Sequence, residues 1–490
     1  MSERPIRFFH RGRLVEVPPQ VPVTRTVLQW LREDARHIGT KEGCAEGDCG
    51  ACTVVVGSLD ESGQLVLEPV NSCIRLLPTL DGRALFTVED LRDGGGGLHP
   101  AQQAMVEAHG SQCGFCTPGI VMSLWACHER HGQAGTVPTR QQLADDLSGH
   151  LCRCTGYRPI LDAGQRMFEQ PGAALDRAPV VEALRRLRED PPLQLGERYH
   201  APRTLAGLAA LREQHPEACM LAGGTDIGLW VTKQLRELPR VLWLGEVAEL
   251  RRIETRDGRL HIGAGASLQA AWEALAAHWP GLRELGLRFA SRPIRHAGTL
   301  VGNVANGSPI GDGAPALMAL DAELLLRRGE ATRRLPLHAF YLGYMERALQ
   351  PGEFVQALEV PLPRPGVVVR GYKVSKRFDS DISALCLGAS LVLDHGRVAQ
   401  VRLAYGGMAA TVKRAAAAEA ALHGRRWDAQ ALHEAMAALE SDFTPIDDLR
   451  ASAAYRLQVA QNLLHRLWLE TRADDPLPPQ ALNVWAREAP

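Results

Sequence analysis

The sequence predicts a multidomain α+β chain, in which a small strand-rich module and a small helical module precede two larger α/β units. Three observations carry this expectation. Eight of the eleven cysteines form two groups of four within the first third of the chain. The apolar spacing turns from a period of two to a helical period near residue 86, then to mixed strands and helices near residue 196. At 490 residues the chain exceeds one ordinary core, so two to four domains are expected.

Residues 6–10 and 14–17 read as strands around the turn Arg11-Gly12-Arg13. Thr24 is expected to cap a helix that puts Val27, Leu28 and Leu31 on one face. A glycine-rich cysteine loop follows, then strands at Thr53–Val56 and Gln64–Leu67, the second leading toward Cys73. Strand pair, helix, cysteine loop and further strands make a β-grasp domain over residues 1–85. Residues 86–169 are helical: Pro100 opens a helix through Val106, and Thr117-Pro118 supplies N-cap and N1 for one through Leu124 and Trp125. Thr139 caps a third through Leu143 and Leu147, and Pro159 opens a fourth through Leu161 to Phe168. Residues 170–195 read as a linker, Gly/Pro/Ala-rich at one end, with a short amphipathic helix before Pro191-Pro192.

Residues 196–365 alternate strands (Cys219–Ala222, Val241–Leu244, Leu260–Ile262, Glu323–Leu326) with helices (Leu205–Glu213, Leu268–Ala276). Residues 366–475 form a last unit, with strands at Val367–Val374, Cys386–Leu393 and Ala399–Ala404 before an alanine-rich helical tail.

Composition excludes several classes. Hydrophobic content of 45% and charged content of 23% fit a soluble globular protein. A net charge of −1 gives no general attraction to nucleic acid or anionic membrane. The start, MSERPIRFFHRGRLVEV, holds no apolar run for a signal peptide, and no stretch is long and apolar enough to span a bilayer. A cytoplasmic location is the simplest expectation. The cysteine usage also argues against a secreted disulfide framework, and Cys127, Cys219 and Cys386 read as ordinary buried thiols.

The first cysteine group is Cys44-x4-Cys49-x2-Cys52, completed by Cys73. Four thiolates serve one 2Fe–2S cluster, and this is the plant-type ferredoxin spacing. Zinc sites pair two short knuckles across a gap, whereas three ligands here share one loop. The second group, Cys113-x2-Cys116 with Cys152-x-Cys154, fits a second 2Fe–2S cluster or, taken alone, zinc. Both halves of it stand at a helix start, where the helix dipole favours an anionic centre. Further on, Ala222-Gly223-Gly224-Thr225-Asp226-Ile227 follows an apolar strand and can offer backbone N–H groups to a pyrophosphate. It is not GxGxxG, so a Rossmann site is not expected. The run Gly263–Ser267 reads as a strand exit with Ser267 capping the next helix. A second dense polar segment runs from Phe289 to Asp312.

The segments Gln112-Cys113-Gly114-Phe115-Cys116-Thr117-Pro118-Gly119 and Leu151-Cys152-Arg153-Cys154-Thr155-Gly156-Tyr157 resemble the helical 2Fe–2S domain of the molybdenum hydroxylases, the xanthine dehydrogenase and aldehyde oxidase family. The glycine-rich segments resemble that family's FAD domain, of the vanillyl-alcohol-oxidase/PCMH type, and residues 366–475 its C-terminal cap. The resemblance covers about residues 5–470. It implies FAD contacts from Ala222, Gly223, Gly224, Thr225, Asp226, Ile227, Phe289, Thr299, Gly302, Asn303, Asp312 and Lys373. It puts Tyr344 and Asp379 at an NAD side, the latter in the loop 376–381 that otherwise reads as plain surface. It implies that Gln112 faces the molybdopterin of a partner, since nothing here resembles the family's molybdenum domain. No residue of this chain is then expected to act on a purine substrate. Electrons would pass from the partner through both clusters to FAD and NAD⁺.

Overall fold

A computed structural model of the chain describes residues 4–91, 97–170 and 174–482. Its residues group into two compact units. The first holds the described residues up to Arg251, with Ser267–Gln269 and Ala290–Thr299; the second holds Arg252–Ala266, Ala270–Phe289 and the described residues from Leu300 on.

In the first unit a five-stranded sheet runs in the order Arg13–Val17, Ile6–His10, Ala84–Phe86, Thr53–Leu59, Leu65–Asn71. Ile6–His10 and Ala84–Phe86 are parallel and the other pairs antiparallel, which is the β-grasp arrangement. The helix it grips starts at Val27 and widens to a π-helical turn over Trp30–Asp34. Its cap is Thr26, not Thr24. Thr26 Oγ1 accepts the Gln29 N–H at 3.1 Å and the Gln29 side chain accepts the Thr26 N–H at 2.9 Å. Three residues after Thr24 stands Val27, which has no oxygen to return.

The valine run of Thr53–Leu59 is buried on both faces of the sheet. Val54 and Val56 join Ile6, Phe8, Val27 and Leu31 on one side, a core that continues to Tyr199, Val241 and Trp243. Val55 and Leu59 join Phe86, Ile120, Leu124 and Trp125 on the other. That second core is helical, built by Pro100–Glu107, Thr117–Ala134, Arg140–Asp146 and Arg158–Arg166. Thr139 caps its helix as expected, accepting the Gln142 N–H at 3.2 Å. Thr117 does not cap: Cys116 occupies that position, and Thr117 Oγ1 is engaged by Ser111 Oγ at 2.7 Å.

Of the expected linker, Pro171 and Gly172 lie outside the described residues. Its helix, Arg177–Glu189, docks Val180, Leu184 and Leu187 into the helical core. Arg177 and Arg188 fasten it to the carbonyls of Leu65 and Leu59 at 2.9 and 2.6 Å. Next comes a small sheet ordered Gln194–Leu195, Tyr199–His200, Val241–Trp243, Cys219–Leu221, with its last three strands parallel.

The second unit holds an antiparallel sheet in the order Ile253–Arg256, Arg259–Gly263, Phe354–Pro361, Glu323–Arg328, Ala331–Pro336. A second antiparallel sheet runs Val367–Val374, Leu385–Asp394, Arg397–Gly406, Lys413–Arg414. Helices Ala416–Leu422, Ala429–Asp442 and Ala453–Thr471 share one core with that sheet.

Trp125 is 3% exposed and its ring centre lies 5.2 Å from that of Phe86. Trp125→Ala should therefore cost about 3–5 kcal/mol, read as a lower urea midpoint with secondary structure retained. An unchanged midpoint would show that sheet and helices do not share this core.

Candidate redox centres

The first cysteine set comes together on the loop between the gripped helix and strand Thr53–Leu59. Cys44 and Cys49 are half-buried; Cys52 and Cys73 are 1% and 3% exposed. Cys44 is within hydrogen-bond range of Cys49 and Cys73, and Cys73 of Cys52, and this sharing splits their acidities. Contact with Cys49 and then Cys73 holds Cys44 well below the ordinary thiol value, and contact with Cys73 holds Cys52 down. Cys49 and Cys73 are pushed up by the same contacts, led in each case by Cys44. Four sulfurs packed so closely repel once ionised unless a cationic centre lies among them, which suits an iron cluster.

The surroundings fit such a group. Backbone N–H groups of Glu46 and Cys49 donate to Cys44 Sγ at 3.4 Å, and Asn71 Nδ2 donates to Cys52 Sγ at 3.8 Å. A Cβ at Gly43 would stand 2.8 Å from Cys49 Sγ. Asn71 was not legible beforehand, since an asparagine at the end of a strand has no distinguishing pattern.

In the second set Cys116 and Cys152 are buried while Cys113 and Cys154 are exposed. Burial, then contact with Cys152, pushes Cys116 up to about 12. Burial opposes ionisation of Cys152 too, yet Thr155 Oγ1 at 3.2 Å and nearby backbone N–H groups keep it below the ordinary value. Cys113 and Cys154 pair through their side chains, which raises Cys154. Tyr157 Oη accepts the Cys152 N–H at 3.0 Å. The 18-residue helix Thr117–Ala134 begins directly after Cys116, with its positive end at the sulfurs. Gln112, Cys113 and Phe115 are exposed.

Two other groupings do not offer open metal sites. The Arg130 guanidinium reaches Cys127 Sγ at 3.8 Å and His131 Nε2 at 3.4 Å and is ion-paired with Asp146, so it fills the space those three residues enclose. In the other, His99 Nδ1 accepts the Ala101 N–H at 3.1 Å and Glu129 Oε1 accepts the Leu175 N–H at 3.1 Å, so two of its three residues are already engaged. Of the leftover thiols, Cys127 and Cys386 are buried as expected and Cys219 is half-buried.

The expected flavin residues fall in both units. In the first, Gly223 turns against the Ala297–Gly298 backbone so closely that any Cβ would overlap it. Ala222, Gly224 and Thr225 are partly open, Asp226 is exposed, and Ile227 begins the helix Ile227–Thr232. That helix packs Gly228 on the Ile74 backbone. At its end Thr232 Oγ1 donates to Ala45 O at 2.8 Å, and Lys233 donates to Cys44 O. The glycine turn therefore stands on a helix that grips the first cysteine loop. Thr299 is buried and pairs with Ser267.

In the second unit, Gly302 and Asn303 lie on helix Leu300–Asn306, and Asn303 Oδ1 is buried with no partner among the described residues. An orphaned buried acceptor fits a ligand group. Lys373 and Asp312 form a buried ion pair at 2.6 Å, with side chains 2% and 5% exposed. Lys373 also donates to Asp381 O at 2.7 Å, and Ser383 Oγ donates to the other Asp312 oxygen at 2.6 Å. Arg288, absent from the expected site, donates to Lys373 O at 3.0 Å and lies 4.3 Å over the Phe378 ring. Phe289 is buried with its ring 5.7 Å from Trp272. Tyr344 is 71% exposed at a hairpin tip, and Asp379 is half-buried on a different loop.

Lys373→Met would leave the Asp312 carboxylate buried without its cation, a loss of about 3–5 kcal/mol. The expected outcome is a lowered urea midpoint, with most of it recovered in the double variant that also carries Asp312→Leu. A midpoint unchanged in the single variant would show that the pair is solvated.

Four family models match in order: a 2Fe–2S iron–sulfur cluster binding domain over residues 12–75, a 2Fe–2S binding domain over 87–165, the FAD binding domain in molybdopterin dehydrogenase over 193–363, and the CO dehydrogenase flavoprotein C-terminal domain over 370–471. The chain is 31% identical to xanthine dehydrogenase of Emericella nidulans over 96% of its own length and 39% of that protein. It is 30% identical to aldehyde oxidase 2 of Mus musculus over 98% of itself and 40% of that protein. It thus spans about two fifths of the length of these curated relatives. Among solved structures, CO dehydrogenase from Oligotropha carboxidovorans superposes with a TM-score of 0.53 at 29% identity, covering 55% of this chain and 96% of that one. Quinoline 2-oxidoreductase from Pseudomonas putida, at 22% identity and a TM-score of 0.52 over 58% of this chain and 99% of that one, shares the fold. The second cysteine set thus falls within a 2Fe–2S domain rather than a zinc site, and the expected fold class holds. With two iron–sulfur domains and a flavin domain in this order, the chain is an electron-transfer module of the molybdenum hydroxylase family.

Proposed function

We propose that the chain is the iron–sulfur/FAD subunit of an NAD-dependent xanthine dehydrogenase, paired with a molybdopterin-bearing large subunit in an (αβ)2 heterotetramer. The observation that carries this reading is the order of centres in the first unit. The exposed Gln112–Cys113 pair leads to the second cysteine set, that set adjoins the first through Leu151 and Cys49, and the first loop is gripped by the helix of the glycine turn. When bound, the clusters would supply one-electron carriage and the flavin the conversion to two-electron hydride transfer.

The chain's own residues do the positioning. Gln112 would meet the partner's pterin, and Cys113, Cys116, Cys152 and Cys154 would hold the entry cluster. Cys44, Cys49, Cys52 and Cys73 would hold the second carrier, with Asn71 and loop N–H groups stabilising its sulfurs. Ala222 to Ile227 and Thr299 would bind the FAD pyrophosphate region. Gly302, Asn303, Asp312 and Lys373 would contact the rest, and Tyr344 and Asp379 would face NAD. Among these groups only the sulfurs meet the electrons, so purine chemistry belongs to the partner.

A purine substrate, oxidised to urate, is favoured by the way the relatives match. Xanthine dehydrogenases of Emericella nidulans and Gallus gallus align with 96% and 89% of this chain within one polypeptide, whereas the CO dehydrogenase chain covers 55%. The aldehyde oxidase match over 98% of the chain supports the second reading, a hydroxylase of aldehydes, CO or N-heterocycles. A third is a free-standing NADH-dependent electron-transfer module.

The isolated chain should contain close to four irons and one FAD, oxidise NADH with an artificial acceptor and leave xanthine untouched. Zinc in place of iron would end the relay reading, and xanthine turnover without a partner would end the split-enzyme reading. In the complex with the large subunit, Cys113→Ser should stop NAD⁺ reduction while substrate still reduces the partner. A panel of hypoxanthine, xanthine and aldehydes then separates purine from aldehyde enzymes.

A further inference from the structure

The six-residue helix Arg292–Ala297 touches three parts of the first unit that lie far apart in the chain. Its start meets the helical domain: Ser291 Oγ caps it, accepting the Ile294 N–H at 3.3 Å, and a Cβ at Gly149 would overlap Ser291. Its middle meets the ferredoxin-type domain. Ile294 packs against the cluster of Leu28, Cys52, Cys73 and Ile74, and His296 Nδ1 lies 3.3 Å from Pro69 O. Its end meets the glycine turn: a Cβ at Gly223 would stand 2.0 Å from Ala297 O, and one at Gly298 3.2 Å from Thr225 Oγ1.

A helix this short has too few internal hydrogen bonds to hold its own place, so its position depends on what grips it. Its first residue is gripped by Asp146, the last residue of helix Arg140–Asp146. That carboxylate is 4% exposed and is ion-paired with Arg292 through one oxygen and with Arg130 through the other. The two arginines differ in what they tie. Arg130 comes from the same helical domain as Asp146 and is 42% exposed, so water can take over its charge. Arg292 opens the bridging helix and is 16% exposed. A pair shut away from water holds its partners closely, because either one left alone would be a buried charge.

We propose that Asp146 is a positioning residue for flavin binding, acting through Arg292 to hold Ser291–Gly298 where its end supports the glycine turn. The proposal rests on the flavin reading above and adds to it a residue outside the expected FAD contacts. With Arg292 pinned and Ser291 seated against Gly149, the helix can neither slide along its axis nor turn about it. Ala297 O and Gly298 then stay against Gly223, and the turn keeps the shape in which its N–H groups face one ligand. Gly223 has no side chain with which to hold its own place, so a shift of the helix passes directly into the turn.

The test is made on the full chain loaded with both clusters, from which FAD is removed and then titrated back. Asp146→Asn keeps the shape of the side chain and removes its charge, and Arg292→Met removes the cation. Both should raise the FAD dissociation constant by roughly tenfold to 100-fold, the range expected of ångström-scale misplacement. The backbone amides of residues 294–298 should exchange with deuterium faster in both. Arg292→Lys keeps the cation and should restore most of the affinity. Arg130→Met breaks the other half of the pairing and should leave the FAD constant unchanged. A merely structural role would instead lower the urea midpoint in Arg130→Met and Arg292→Met alike without moving that constant. Should Arg292→Met fail to load a cluster, Asp146→Asn decides. Unchanged FAD affinity in Asp146→Asn, with both cluster signals intact, would overturn the proposal. FAD binding by the unsubstituted chain, read first, tests the flavin reading itself, so the two failures are separable.

Discussion

A loop that brings three cysteines together has no regular secondary structure with which to satisfy its own carbonyls, and that constraint organises the first unit. Buried backbone oxygens without donors are costly, so the Cys44–Cys52 loop draws donors from its surroundings. Lys233 and Thr232 serve the carbonyls of Cys44 and Ala45. Leu151 serves Cys49, Thr53 serves Gly50, and Ser72 serves Cys52. The donors come from the ferredoxin-type sheet, the helical domain and the flavin-side helix. Satisfying one loop thereby fixes the positions of three domains around it.

The same logic explains where acidity is unusual. Cys44, Cys49, Cys52 and Cys73 are shifted first by one another, whereas Cys127, Cys219, Cys386, Tyr405 and His150 are shifted by burial alone or first. The Lys373–Asp312 pair in the second unit is different: it is buried but internally balanced, with Ser383 and the Asp381 carbonyl completing its bonds. A neutral buried pair keeps a charged lysine available in a dry setting without leaving a net charge there.

How much of this the sequence revealed follows from which physical rule each part obeys. Cysteines at tight spacing stand out from the rest of the chain, so all eight could be grouped before any coordinates. The doubly buried strand was visible as a valine run, and Thr139 as a cap. Thr24 is the first residue of capping type before this helix, but only Thr26 has a partner three residues on, Gln29, to complete the capping box. Ile253–Arg256 and Ala331–Pro336 were missed because they are edge strands that are largely exposed and carry no clean alternation. The donors to the cysteine loop were invisible for another reason: Lys233 lies 189 residues from Cys44, and the Leu151 N–H is a group that nearly every residue possesses. Arg288 likewise acts through the Lys373 backbone, which no local pattern announces.

The strand Thr53–Leu59 has a bearing on how such a protein can be taken apart. Its two faces belong to two different cores, and helix Arg177–Glu189 closes over one of them from far along the chain. A fragment ending just after Phe86 would leave Val55, Leu59 and Phe86 facing water. One beginning there would lose the floor beneath Ile120, Leu124 and Trp125. Excision at the apparent border between the two cluster domains therefore cuts through a shared core. Gene fusions and truncations that keep both domains have to run at least to the end of that docked helix.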